Sequence, residues 1–123
     1  MNTAEHELIA VAGVSRDASK YGHRIFCGLI KAGYSVKGVN INGGSVLGHN
    51  LYKSLDELEQ KPDLVIAVVP PQAAVEIIEQ CGRLGIKTVW LQPGSESGEG
   101  LEKARRCGVK TISACFMAQK GLW

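Results

Sequence analysis

The segment from Gly13 to Gly22, called here the 13–22 loop, combines glycines, hydroxyls and positive charge in the manner of a phosphate-binding loop. Gly13 permits a tight turn after an apolar run, and Gly22 is placed where a missing side chain would let an anion approach free main-chain N–H groups. The other polar candidates in the loop are the hydroxyls of Ser15 and Ser19 and the cations Arg16 and Lys20. The loop therefore predicts a site for the phosphates of a nucleotide. The alternative is an ordinary turn that carries solvated charges.

Two better-known loops do not fit this segment. A Walker A loop needs a glycine directly before a Lys-Ser/Thr pair, but Lys20 stands between Ser19 and Tyr21. The esterase elbow G-x-S-x-G fails at its last glycine, where Asp17 stands. The elbow also needs a histidine late in the chain, and His49 is the last one.

A dinucleotide motif is also incomplete. Ser15 occupies the position of the middle glycine in G-x-G-x-x-G. The next strand ends Val39-Asn40, without the acidic residue that would bind an NAD ribose. A plain NAD site is therefore disfavoured, and a phosphorylated ribose would be less strongly repelled.

The remaining chemical candidates are weaker. Cys115 follows the last predicted strand and could approach a ligand thiol, but no histidine or helix start is visible to activate it, so an idle thiol is the better interpretation. Glu96 and Glu99 are interpreted as solvated loop residues, and His23 fits a phosphate-binding position or a surface position equally well.

The four cysteines show no metal-binding spacing and are interpreted as free thiols. They are Cys27, Cys81, Cys107 and Cys115. No metal site is predicted.

The elements that would position these residues alternate in type along the chain. Continuous apolar runs predict strands buried on both faces, and apolar stripes at helical spacing predict helices between them. The predicted strands are 8–12, 34–39, 51–52, 64–69, 87–91 and 109–113. The predicted helices begin at Gly22, Ser54, Pro71 and Leu101, and the tail from Ala114 is not assigned.

The spacing of these strands is that of βαβ crossover units. Right-handed crossovers favour one parallel sheet with strand order 3-2-1-4-5-6, in which the short 51–52 strand lies at an edge. We therefore predict an α/β fold, a single Rossmann-like, doubly wound domain over residues 1–123 with its core at about 8–117. Ligands bind such sheets where strand order reverses, here between the 13–22 loop and the Val69-Pro70-Pro71 turn.

Composition argues against several kinds of partner. The net charge of +2 and a longest basic run of Arg105-Arg106 are too small for a nucleic-acid surface. The longest apolar stretch, 64–71, is about half the length needed to span a bilayer. The first residues carry no basic leader of a signal peptide, so a cytoplasmic protein without a membrane partner is predicted. The sequence leaves open a homodimer or an unidentified protein partner.

Four segments of the chain, in one order, carry a resemblance to a known family. They are the 13–22 loop, Gly38-Val-Asn-Ile41, Val68-Val-Pro-Pro71 and Trp90-Leu-Gln-Pro-Gly94. Together they resemble the small stand-alone CoA-binding proteins, which are similar to the amino-terminal domain of the succinyl-CoA synthetase α subunit. The likeness covers roughly residues 8–117. One departure is that the family loop starts Gly-Ala-Ser and this one starts Gly-Val-Ser, whose extra methyls would crowd the phosphate slightly.

The resemblance implies coenzyme A or an acyl-CoA as the ligand. It places Val39 and Asn40 at the adenosine end, Val69 and Pro70 along the other wall, and Gln92 nearby. The residues that it places around the phosphates are Gly13, Val14, Ser15, Arg16, Lys20, Tyr21 and Gly22.

Non-catalytic binding of this ligand is the leading hypothesis. The alternatives are an NAD(P)-binding redox sensor or reductase-like domain, an enzyme that uses CoA, and a regulatory protein with a vestigial crevice.

Overall fold

A five-stranded parallel sheet forms the centre of the fold, which the computed structural model describes for residues 7–123. The strands are β1 (Leu8–Ala12), β2 (Ser35–Val39), β3 (Ser45–Val46), β4 (His49–Asn50), β5 (Leu64–Ala67), β6 (Thr88–Leu91) and β7 (Lys110–Ser113). The sheet order is β2-β1-β5-β6-β7, and every neighbouring pair is parallel. The two-residue strands β3 and β4 form a separate antiparallel hairpin.

Helices cover both faces of the sheet. They are α1 (Tyr21–Lys31), α2 (Pro71–Leu84), α3 (Gly98–Cys107) and α4 (Phe116–Gln119), with one 3₁₀ turn at Leu55–Glu57. One buried cluster joins the sheet to residues of α1 and α4, and a second joins it to residues of α2 and α3. No helix among residues 7–123 is long and apolar enough to cross a membrane.

The central strand β1 shows why both faces are covered. All five of its residues are buried. Because side chains alternate across a strand, Ile9 and Val11 pack on the side of α1, while Ala10 and Ala12 pack on the side of α2. A continuous apolar run is therefore needed here, and the small alanines leave room for α2.

The fold class and strand order predicted from sequence are confirmed. The predicted edge strand at 51–52 is reduced to one parallel bridge between Val39 and Tyr52, at the expected edge of the sheet. The helix expected from Ser54 is only the 3₁₀ turn, in which Ser54 makes no side-chain cap.

Three local features differ from the sequence-based expectation. Helix α3 begins at Gly98 rather than Leu101, because the Ser97 hydroxyl accepts a hydrogen bond from the Gly100 N–H at 2.9 Å. The β3–β4 hairpin and helix α4 lie in segments to which no element had been assigned. The hairpin turn places Leu47 at a φ of 51°, a conformation that leucine rarely adopts. Because leucine is not a typical turn residue, the composition of this segment did not predict a hairpin.

Candidate functional site

A crevice of about 330 Å³ opens at the carboxyl ends of β1, β2 and β5. This is the place where strand order reverses, since the chain leaves β1 for β2 on one side and later returns to β5 on the other. The predicted site residues that line it are Gly13, Val14, Ser15, Val39, Asn40, Val69 and Pro70.

The turn at Gly13 is held between the ends of two neighbouring strands. The Val39 carbonyl accepts hydrogen bonds from the N–H groups of Gly13 and Val14, at 3.0 and 3.1 Å. Gly13 has a φ of +104°, and a Cβ there would lie 2.2 Å from the Val68 carbonyl oxygen. The turn therefore requires glycine for its backbone conformation and for its contact with the end of β5.

Gly22 has a packing role in addition to the one predicted for it. It is buried at the start of α1, and its predicted part in binding an anion stays a prediction. A Cβ at this position would lie 2.1 Å from the Gly13 carbonyl oxygen. The glycine therefore lets the first turn of α1 pack directly on the turn after β1.

The interior of the 13–22 loop is ordered by its own polar groups. Asp17 Oδ1 accepts from the N–H of Ser19 at 2.9 Å and from its hydroxyl at 2.7 Å. These two bonds lower the pKa of the Asp17 carboxyl. The Ser19 hydroxyl is thus engaged within the loop, whereas Ser15 Oγ accepts from the Asp17 N–H and keeps its own proton to donate.

Two main-chain amides of the loop are available to a ligand. Within residues 7–123, the N–H groups of Ser15 and Arg16 make no hydrogen bond to the protein. His23 Nδ1 donates to the Ser15 carbonyl at 2.7 Å. This bond orients the peptide group between Ser15 and Arg16, so that its N–H points away from His23. The first N–H groups of α1 also lack helical partners, as at any helix start.

The two cations of the loop lie on its exposed rim. Arg16 crosses the turn after β2, since its Cδ lies 2.6 Å from the position that a Cβ on Gly44 would take. Lys20 is the exposed residue directly before α1. Both side chains flank the crevice without lining it.

Asn40 links the ends of β1 and β2. Its Nδ2 donates to the Val14 carbonyl at 2.7 Å, and its Oδ1 accepts from the Asn42 N–H at 2.7 Å. The predicted ligand residue is therefore also a structural one. An aspartate could keep the second bond but not the first.

Ser95 supports the opposite wall, and sequence reasoning missed it. It is 3% exposed, and its hydroxyl donates to the Val69 carbonyl at 2.6 Å and accepts from the Val69 N–H at 3.1 Å. No local pattern marks it, because its partner is 26 residues away.

Helix α2 supplies a wall that was also missed. Ala73, Glu76, Ile77 and Gln80 line the crevice. Their spacing of three and four residues after the Pro70-Pro71 turn was the available signal. Gln80 Oε1 is buried and has no hydrogen-bond partner among residues 7–123.

A second group of polar side chains lies farther along the same edge of the sheet. Tyr21, Gln92 and Cys115, called here the Cys115 cluster, meet where β6 and β7 end and α1 begins. Tyr21 Oη is 3.6 Å from Cys115 Sγ. Gln92 is fully buried, and its Oε1 accepts from the Phe116 N–H at 2.7 Å. Its Nε2 has no hydrogen-bond partner in the described part of the chain.

The surroundings of Cys115 correct the expectation that no helix start lies near this thiol. Helix α4 begins at the next residue. Burial alone would raise the pKa of the thiol, but nearby donors outweigh burial and lower it below its ordinary value. The groups that lower it are the N–H groups of Ala118 and Met117, the Tyr21 hydroxyl and the Gln92 amide. Gln92 Nε2 acts here by its proximity to the sulfur, since its geometry is not that of a hydrogen bond.

Comparison with known proteins shows a family match over nearly the whole described chain. Residues 7–120 match the family model described as a CoA binding domain.

The chain belongs to the CoA-binding domain family.

The relatives of this CoA-binding domain include much longer chains. It is 36% identical to the alpha subunit of acetate–CoA ligase (ADP-forming) I from Pyrococcus furiosus, over 85% of this chain and 26% of that subunit. The chain spans about a quarter, or less, of the length of the curated relatives it matches.

Solved structures have the same fold. A conserved hypothetical protein from Pyrococcus furiosus aligns with a TM-score of 0.86 at 32% identity, covering 92% of this chain and 98% of that one. The dinucleotide-forming acetyl-coenzyme A synthetase 1 of Ca. Korarchaeum cryptofilum aligns with a TM-score of 0.77 at 25% identity, over 88% of this chain and 26% of that one.

Membership of the CoA-binding domain family confirms the resemblance carried by the four sequence segments. The structure divides the predicted site residues into those that line the crevice, the rim cations Arg16 and Lys20, Gly22 beneath the loop, and the pair Tyr21 and Gln92 in the Cys115 cluster. No group of three His, Cys, Asp or Glu residues within 7–123 could hold a metal ion.

Proposed function

We propose that the crevice binds coenzyme A or an acyl-CoA and that this part of the chain does not itself catalyse a reaction. The observation that carries the proposal is the turn at Gly13, where a preformed crevice at the reversal of strand order meets unpaired main-chain amides. Family membership supports the choice of ligand.

The shape of the crevice suggests how the nucleotide lies. The diphosphate would accept hydrogen bonds from the N–H groups of Ser15 and Arg16 and from the first turn of α1. The adenosine would lie between Val39 and the face of α2 that carries Ile77. The positive charge of Arg16 and Lys20 on the rim favours a ligand with several phosphates.

The matched ligase subunit is about four times as long as the aligned region, so the ligase reaction is not proposed for this chain. Val69 and Pro70 form the wall opposite the loop, and Ser95 holds that wall in place. A homodimer or a separate protein partner stays a prediction.

Isothermal titration calorimetry tests the proposal directly. CoA and acetyl-CoA are expected to bind at micromolar levels, and the analogue that lacks the 3′-phosphate is expected to bind more weakly because it has lost charge. A preference for NADH would favour the redox-sensor alternative. No heat with either CoA or acetyl-CoA would contradict the proposal.

A pair of lysines on one helix provides a matched control. Lys20 precedes α1 and Lys31 ends it, about 16 Å farther along its eleven residues. Lys20→Gln is expected to weaken CoA binding and reduce its dependence on salt, whereas Lys31→Gln should leave both unchanged. Equal effects of the two substitutions would mean that Lys20 contributes only to the net charge and not to a phosphate site at the 13–22 loop.

A further inference from the structure

Tyr21 lies between the crevice and the rest of the Cys115 cluster, along the carboxyl edge of the sheet. The crevice lies at the ends of β2, β1 and β5, and the Cys115 cluster lies at the ends of β6 and β7. Tyr21 belongs to the 13–22 loop and is the first residue of α1, and its hydroxyl lies 3.6 Å from Cys115 Sγ. The cluster is therefore next to the loop, on the side away from the proposed adenosine pocket.

The buried amide of Gln92 points to a ligand oxygen. Gln92 is 0% exposed, and its Oε1 is occupied by the Phe116 N–H, which fixes the orientation of the amide. Its Nε2 has no hydrogen-bond partner within residues 7–123, although it lies close enough to Cys115 for the amide to stabilise the thiolate. A buried donor without an acceptor is unfavourable, and an oxygen placed beside Cys115 would satisfy it.

The direction of the ligand follows from the order of the strands. With the adenosine near β2 and the diphosphate at the turn after β1, the rest of the molecule extends toward β6 and β7. A strand spacing of about 4.8 Å puts the end of β7 about 14 Å from the end of β1. The pantetheine arm of CoA is an extended chain, and its thioester would arrive at the Cys115 cluster.

We propose that Cys115 is an acyl acceptor, whose thiolate takes the acyl group of an acyl-CoA bound in the crevice. This inference rests on the proposed function. The bound acyl-CoA supplies the acyl group, Gln92 supplies a hydrogen bond to its carbonyl oxygen, and Tyr21 supplies one to the sulfur.

The step balances without an oxidant or another reactant. Cys115 Sγ attacks the carbonyl carbon and forms a carbon–sulfur bond, and the electron pair of the carbonyl moves to its oxygen, beside Gln92 Nε2. When the carbonyl re-forms, the bond to the CoA sulfur breaks and CoA leaves as a thiolate. One thioester is exchanged for another, and the Tyr21 hydroxyl is placed to donate a hydrogen bond to either sulfur.

Intact-protein mass spectrometry tests this step. The protein is incubated with acetyl-CoA in the presence of a phosphine reductant, and the modified cysteine is mapped by peptide analysis. The expected result is one acetyl group on Cys115 that hydroxylamine removes. The same experiment with a small acetyl thioester that lacks the nucleotide should acetylate Cys115 more slowly.

Three variants sharpen the result. Cys115→Ser should lose the acetyl group. Cys27→Ser, which removes a different half-buried thiol in α1, should still be acetylated at Cys115. Gln92→Glu retains the acceptor for Phe116 but removes the free donor, and should slow acetylation by at least about tenfold. If Gln92→Glu melts at a much lower temperature, Tyr21→Phe provides the second measurement, in which loss of the hydroxyl should slow acetylation of Cys115 at saturating acetyl-CoA.

The outcomes separate this inference from the proposed function. CoA binding by calorimetry together with an unmodified Cys115 would overturn the acyl-acceptor role alone. Equal acetylation of Cys115, Cys27 and Cys107, equal rates with the small thioester, or an adduct of the mass of whole CoA would also overturn it. Absence of CoA binding would instead remove the proposed function, whatever the state of Cys115.

Discussion

The loops that shape the crevice are bonded to one another, whereas the Cys115 cluster brings a buried amide donor without a hydrogen bond close to a thiol. Val39 and Asn40 hold the turn after β1, and Ser95 holds the opposite wall. In the cluster, by contrast, Gln92 Nε2 is unpaired and the Cys115 thiol has a lowered pKa. We therefore expect substitutions in the crevice loops to change stability and ligand binding, and substitutions in the Cys115 cluster to change the reactivity of the thiol.

The largest effect is expected from Gly13→Ala, which tests how rigidly the crevice is built. The new Cβ would meet the Val68 carbonyl oxygen at 2.2 Å, and the backbone would keep a φ of +104°. We expect a loss of about 2–5 kcal/mol in the free energy of unfolding, from the clash and the strained backbone together. Urea denaturation measures this loss.

Gly94→Ala is the matched control for this clash. Gly94 has a similar φ of +98°, but nothing lies within 4 Å of its Cβ position. Only backbone strain should appear, at about 1–2 kcal/mol. If both variants lost the same stability, the contact between Gly13 and the end of β5 would be unimportant.

Ser95→Ala tests the opposite wall of the crevice. The substitution leaves the N–H and carbonyl of Val69 without their partner, at an expected cost of about 1–3 kcal/mol in stability. CoA affinity should fall as well, because the wall at Val69 and Pro70 loses its support. Thermal melts and calorimetry measure the two effects.

Ser97→Ala, two residues away, separates stability from binding. It removes the cap of α3 and should cost about 1 kcal/mol without changing CoA affinity. A parallel loss of affinity in both serine variants would show that general destabilisation, and not the wall, controls binding.

Asn40→Asp tests the electrostatics of the adenosine end. The change removes the donor to the Val14 carbonyl and adds a negative charge near the proposed ribose phosphate. We expect about 1 kcal/mol weaker binding of CoA, roughly fivefold in Kd, as for like charges about 4 Å apart in water. The analogue without the 3′-phosphate should lose less.

The exposed Asn50→Asp in β4 adds the same charge outside the crevice. This variant should leave unchanged the ratio between the affinity for CoA and the affinity for the analogue without the 3′-phosphate. If Asn50→Asp and Asn40→Asp changed that ratio equally, net charge alone would account for the effect.

The smallest effect concerns the pH at which Cys115 reacts. Because its pKa is lowered from the ordinary 9.0, the thiolate exists at lower pH in the folded protein than in the unfolded chain. The rate of iodoacetamide labelling at Cys115 should therefore rise with a midpoint below 9.0. In urea the midpoint should move upward.

Cys81 is the internal reference for that titration. Burial raises its pKa to about 12, so it should stay unlabelled in the folded protein over the same range. Labelling of Cys81 and Cys115 at the same pH would show that the cluster does not activate its thiol.

The elements were predictable because each is encoded by neighbouring residues. The unbroken apolar run from Leu64 predicted the buried strand β5, and the stripe beginning at Ala74 predicted α2. Strand order then followed from the handedness of crossovers, which also located the crevice.

The details of the site were less predictable. Gly22 packs against the Gly13 carbonyl, a contact that requires glycine and that the sequence did not reveal, while its part in binding an anion stays a prediction. Ser95, which supports the crevice wall, carried no local signal, and the helical spacing of Gln80 did not show that its face of α2 lines the crevice.

The sequence by itself determined the order of strands and helices, the edge of the sheet where a ligand would lie and the glycine-containing turn that borders it. Only the tertiary structure decided which groups there are already bonded and which are free. Tyr21 and Cys115 are 94 residues apart in the chain, and no local pattern records that they meet. Periodicity and turn chemistry act between neighbours, whereas the environment of a thiol or an amide depends on contacts that exist only after the sheet has assembled.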